Sequence, residues 1–304
     1  MRRKLVKQGA ATLMVSLPAG WAKRLCLRKG DEVHIQELES TLLLSAGMGV
    51  EEKRKTKIKL TNQTESAIRT QIVNAYRAGY DIVEVIYSNE EEYKIISNTI
   101  KEYLIGFEIV KKEKGYCILE NITEPSQEQF DVLIKKIIYN IMMMIDSTEE
   151  RLRGQTKFEN YADIDAKIKQ YHNFCARVIS KKNPVGSRAP LFWTFLGLLI
   201  HGQRDLYHLN KFLDKNQIKF TAFDITAKLK QAFALLSDGY IKKDVSKLEQ
   251  LHELEKTAIY KDVYKAIQTG KKENIAVFHI AFAIRNFYLA SSPLMGLLLA
   301  PNPS

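Results

Sequence analysis

The sequence predicts a multidomain α+β chain in three parts, and three observations carry that prediction. Over residues 1–47, short apolar and β-branched runs are separated by glycine turns, with one short helix among them. Over 56–121, strand and helix patterns follow in the order β-α-β-α-β-β, as in a small α/β domain with one sheet covered by two helices. Over 125–300 the periodicity is helical throughout, in three long runs followed by three more.

In the first part, Leu5–Val6 and Thr12–Leu17 read as strands and Gly9 as the turn between them. Pro18 stops the second strand and suits the first turn of a helix, where its missing N–H would be unpaired anyway. That helix carries Trp21, Leu25 and Leu27 inward and Lys23 and Arg24 on the other side. Lys29-Gly30-Asp31 is a turn, after which Val33, Ile35 and Leu38 open a hairpin that returns through Leu42 to Leu44. About 45 residues bury too little surface to offset chain entropy without disulfides, metal or a partner chain. The segment has one cysteine, Cys26, and no metal-ligand spacing, so a second copy is the expected solution.

The order of these elements, with Ser-Leu-Pro closing the second strand, Trp-Ala-Lys in the helix and Leu-x-Leu-x-x-Gly-Asp-Glu-Val after it, resembles the AbrB/SpoVT (MazE-like) swapped-hairpin DNA-binding domain over Arg2 to Ala46. The resemblance implies a dimeric β-barrel, built by two chains that interleave their hairpins, with basic side chains facing double-stranded DNA. The candidate DNA contacts are Arg2, Arg3, Lys4, Lys7, Lys23 and Arg24. Arg3 and Lys23 fall where that family carries DNA-contacting arginines, whereas the position after the first glycine, often arginine there, is Ala10. Charge agrees with this placement. The chain has a net charge of +11, and residues 1–60 hold 13 Lys and Arg against 6 Asp and Glu, so most of the excess lies at this end. Such a patch draws phosphates by counterion release without reading sequence.

Gly47–Lys59 reads as a connection running into a strand at Thr56–Leu60, and its block Lys53, Arg54, Lys55 and Lys57 reads as a solvated run or, alternatively, as a track along a DNA backbone. Asn62-x-x-Glu65 then resembles a capping box, for a helix with Ala67, Ile68, Ile72, Ala75 and Tyr76 on its inner face. Asp81–Tyr87 is a strand, and Ser88-x-x-Glu91 caps a helix with Ile95, Ile96, Ile100 and Leu104 inward. Phe107–Val110 and Tyr116–Leu119 form a hairpin about Glu113-Lys114-Gly115. A glycine-rich phosphate loop follows none of these strands, which gives nucleotide binding no support.

Pro125-Ser126-x-x-Gln129 opens the first long helix, which carries an apolar stripe from Phe130 to Ile145. The others cover Tyr161–Ser180, Pro190–Leu213, Asp224–Tyr240, Val245–Thr269 and Lys272 to about Ala290. Arg204-Asp205-Leu206-Tyr207 and Arg285-Asn286-Phe287-Tyr288, in the third helix of each set, hint at an internal duplication. A pair of three-helix bundles resembles PhoU, the regulator of phosphate uptake. In that family, acidic pairs one helical turn apart hold metal as hard oxygen ligands. Here Asp165 is followed by Lys169 and Asp205 by Leu209, while Asp146 and Glu150 sit beside Arg151 and Arg153, where ion pairing is expected, so no metal is expected.

No enzyme is expected either, because no catalytic serine, cysteine or paired-acid motif is found. The six histidines, His34, His172, His201, His208, His252 and His279, lack zinc spacing, and His201 and His208, two turns apart, read as a core or interface pair. Cys26, Cys117 and Cys175 read as reduced core thiols. No apolar run of membrane-spanning length is expected, and the charged start without an apolar stretch after it predicts no signal peptide and a cytoplasmic protein. The expected function is a DNA-binding transcriptional regulator linked to phosphate uptake, a homodimer or higher oligomer without cofactor. The alternative is a PhoU-like adaptor for a transporter or kinase partner from a phosphate transport system, with the barrel used only for dimerisation.

Overall fold

The computed structural model of the chain describes residues 2–9, 11–38, 41–46, 53–123, 127–155, 160–268 and 272–299. It divides into two units, Met1–Glu52 and Lys53–Asn302. Ala10, the connection over residues 47–52 and the Pro125-Ser126 start of the first long helix lie outside the described residues.

In the first unit, β1 (Val6–Gln8) and β2 (Thr12–Met14) pair antiparallel, with Val6 opposite Met14 and Lys7 opposite Leu13. Gly9, at φ 74°, supplies the left-handed turn residue between them. Pairing stops at Met14, so the strand expected to reach Leu17 is cut short. Helix α1 (Ala19–Arg24) has Pro18 as its N-cap. The second hairpin, β3 (Val33–Leu38) and β4 (Thr41–Ala46), runs in register from Val33–Ala46 to Leu38–Thr41. Among the described residues the hairpins are separate two-stranded sheets and form no closed barrel. Trp21 and Leu27 are only half-buried and Leu25 is exposed, since none of the described residues of this unit covers the expected inner side.

The second unit begins with β5 (Lys55–Lys59), α2 (Glu65–Arg77), β6 (Ile82–Ile86), α3 (Glu90–Tyr103), β7 (Phe107–Glu113) and β8 (Tyr116–Asn121), in the expected order. The sheet order is β5-β6-β8-β7, with β5 and β6 parallel and the other pairs antiparallel. Alternation sends Val83 and Val85 of β6 to one face, opposite Leu119 and Cys117 of β8, and these four are fully buried in a core shared with α2 and α3. Both helix caps lie off the expected position. Thr64, not Asn62, caps α2 by accepting the Ala67 N–H, and Asn62 instead takes a left-handed turn at φ 50°. Asn89 caps α3 by accepting the Glu92 N–H at 2.9 Å, while the Glu92 carboxylate accepts the Ser88 N–H at 2.6 Å.

Helices α4 (Gln127–Leu152), α5 (Tyr161–Lys182), α6 (Ala189–Leu213), α7 (Phe223–Lys242) and α8 (Val245–Thr257) follow. A π-helical stretch, Ala258–Val263, continues α8 into α9 (Tyr264–Ile267), and α10 (Asn274–Leu299) ends the described chain. These helices share one apolar core. Helix α10 runs past the expected end near Ala290 and through Pro293, which makes it long and apolar enough to cross a membrane by length and composition. Ala276, Val277, Ile280, Ile284 and Phe287 of this helix are nonetheless buried in the core, and Arg285 pairs with Glu255 of α8. The two related tetrapeptides meet: Asn286 donates to Asp205 at 3.3 Å, and Gly202 lies against the Phe287 ring.

The α/β part and the helices are joined by charged hydrogen bonds. Arg177 of α5, fully buried, donates to the Tyr76 and Tyr80 carbonyls at 3.1 and 2.7 Å and to Asp81 at 2.6 Å. Lys181 reaches the same carboxylate at 2.7 Å, and the Arg54 N–H donates to its other oxygen at 2.9 Å. Asn173 accepts from Arg77 at 2.8 Å and donates to the Tyr103 carbonyl at 2.9 Å.

Candidate nucleic-acid interface

Arg2, Arg3 and Lys4 lead into β1, Lys7 lies on it, and Lys23 and Arg24 form the last turn of α1. All six are exposed, and among the described residues none has an acidic partner. The structure thus brings four of them together along one strand segment and two on one helical turn. Positive charge in that turn also faces the carbonyl end of the helix, which favours it there regardless of any ligand. Arg28 and Lys29 are exposed basic residues of the turn after α1, where the Arg28 N–H donates to Asp31 at 2.6 Å. In the sequence this stretch reads as a turn, and its two cations belong to the basic excess of residues 1–60.

The apolar side of the segment is open as well. No described side chain from Arg2 to Ala46 is buried. Eight large apolar side chains there are exposed, with Leu5, Leu13 and Leu42 at 64, 63 and 60%. Covering all eight contributes on the order of 10 kcal/mol before chain entropy is counted. A segment left this open is far short of the burial that holds a domain of its size together. Cys26, expected in a core, is exposed at φ 52°, whereas Cys117 and Cys175 are buried as expected. Burial pushes the Cys117 thiol up to about 11, which keeps it protonated and unreactive.

The carboxylates that a PhoU-like helix pair would offer to metal are engaged elsewhere. Buried Asp165 accepts from Lys169 at 2.5 Å and from Gln203 at 3.0 Å. Asp146 pairs with Lys230 of α7 at 2.8 Å, and so does Glu149, at 2.7 Å; the expected arginine partners are not used by Asp146, because Arg151 turns to Asp214 and Arg153 to Glu149. Among the described residues no group of three or more His, Cys, Asp and Glu side chains could hold a metal ion. The histidine pair differs from the expected one: His208 stacks on His279 of α10 with centroids 6.5 Å apart, and exposed His201 is not its partner. Comparison of the chain with known protein families, characterised proteins and solved structures finds no match.

Proposed function

We propose that the chain is a DNA-binding transcriptional regulator that acts as a dimer through its basic N-terminal segment, linked to phosphate uptake through helices that resemble PhoU. One observation carries this reading. Residues 2–46 place six exposed cations, without acidic partners among the described residues, on a segment that buries none of its described side chains. A second copy would cover the apolar side and double the positive charge facing a duplex.

A gel shift across a range of salt tests this reading. A dimer using most of these cations should lose affinity with a log–log slope of about −5 to −10. Lys23→Ala with Arg24→Ala should weaken binding on all sequences and reduce the slope by roughly 3 to 4, since two contacts vanish from each chain. Absence of binding at low salt would favour the adaptor. That second reading has its own support in the half-exposed apolar stripe Ile275, Phe278, Phe282 and Leu289 on α10, a surface of the kind proteins dock on.

A further inference from the structure

At one end of the helical part, α4, α6, α7, α10 and the α5–α6 turn line a half-open cavity of about 540 Å³, within the range of small-molecule sites. Its apolar lining includes Phe192, Leu294 and Leu298. Three cations, Lys135, Arg188 and Lys243, face a single carboxylate, Asp131, so its lining carries a net positive charge. Among the described residues none of the three cations has an acidic partner. The Arg188 Nε is buried and has no hydrogen-bond partner. That nitrogen is shielded from the cavity, so a ligand oxygen would meet the terminal guanidinium nitrogens, whose planar fork suits a carboxylate. Tyr240 also lines the cavity, and its hydroxyl makes no hydrogen bond among the described residues. Burial raises the Tyr240 hydroxyl well above its ordinary range, with Asp131 and Cys175 adding to the effect, so it stays a donor.

We infer that this cavity binds an amphiphilic carboxylate, its head on Arg188 and Lys243 and its apolar body against Phe192, Leu294 and Leu298. Such a ligand is a candidate effector, and its binding is independent of whether the N-terminal segment binds DNA. Titration calorimetry of the full chain with decanoate, in the absence of DNA, tests it. One decanoate per chain should bind, and decanol, which has the same body without the charge, should bind at least about tenfold more weakly, a difference of about 1.4 kcal/mol. Arg188→Gln with Lys243→Gln should weaken decanoate by a similar factor while the melting temperature stays near that of the parent, which separates loss of the site from loss of the fold. Equal binding of decanol would leave only an apolar crevice and overturn the assignment. So would inorganic phosphate binding as tightly as decanoate, or decanoate affinity unchanged in the double variant, which would put the anion elsewhere, the open N-terminal segment included. Absence of decanoate binding at millimolar concentration would overturn it as well.

Discussion

At the scale of single residues, the junction between the α/β part and α5 holds titratable groups in opposed states. Burial alone would raise the Asp81 carboxyl, but the Lys181 hydrogen bond, the Arg54 N–H and the charges of Lys181 and Arg177 outweigh it and hold it below its ordinary value. That contribution to stability is present above the unfolded carboxylate range near 4 and is lost only as the pH falls through the lower folded value. His172, beside Arg77 at 3.2 Å, is the reverse in kind. Burial, then Arg77 and His201, push it down to about 3, so the folded chain keeps it neutral. Between about pH 6.5 and 3 the unfolded chain takes up a proton that the folded chain refuses, so stability falls with falling pH by up to about 1.4 kcal/mol per unit from this group. Urea unfolding at pH 7 and pH 5 should therefore show a loss in the parent and a smaller loss in His172→Gln. An identical loss in both would remove His172 as the cause.

At the scale of elements, the order and most of the boundaries, to within about two residues, are legible in the sequence, whereas the caps and the end of α10 are not. Periodicity gave β-α-β-α-β-β and the long helices because patterns such as Val83/Val85 or Phe130 to Ile145 repeat over many residues. Caps depend on two or three side chains, and Asn62-x-x-Glu65 and Thr64-x-x-Ala67 compete for the same helix start, so the choice fell to backbone geometry that the sequence does not state. The buried Arg177 was not legible at all, because an arginine on a helix reads as solvated until its carbonyl acceptors come from another element. Helix α10 runs on to Leu299, past the expected end near Ala290, and tertiary packing carries it through Pro293, a residue that breaks helices on local grounds. The α6–α10 contact offers the test at this scale. A Cβ on Gly202 would lie 2.5 Å from the Phe287 ring, which itself packs on Phe233 at 4.8 Å and has little room to yield. Gly202→Ala should destabilise the fold by roughly 1 to 3 kcal/mol through overpacking, despite the better helix propensity of alanine. An unchanged or raised unfolding midpoint would mean that the two helices do not pack this closely.

At the scale of the whole molecule, the two units differ in how they are held. The unit from Lys53 onward buries its own core, with some forty apolar side chains in the helical cluster alone, whereas the N-terminal unit has no buried side chain among those described. Folding of that segment should then be linked to association, and its stability should depend on protein concentration as that of an obligate dimer does. Sedimentation of the full chain, of 34.9 kDa, should accordingly give a species of twice the mass. Leu13 is a suitable probe because it lies on a short strand, is 63% exposed in the single chain, and sits opposite Lys7. In a monomeric chain Leu13→Glu would change a surface residue and cost less than about 0.5 kcal/mol. In a dimer it puts a carboxylate into a covered apolar layer on both chains, and the dissociation constant should rise by at least about a hundredfold, or 2.8 kcal/mol. Dimer mass is the readout, because a glutamate on the face that Lys7 occupies lowers DNA affinity by itself, while the unfolding of the helical unit stays where it was. A variant that remains a dimer would show that the exposed apolar side chains of this hairpin face solvent in the working protein.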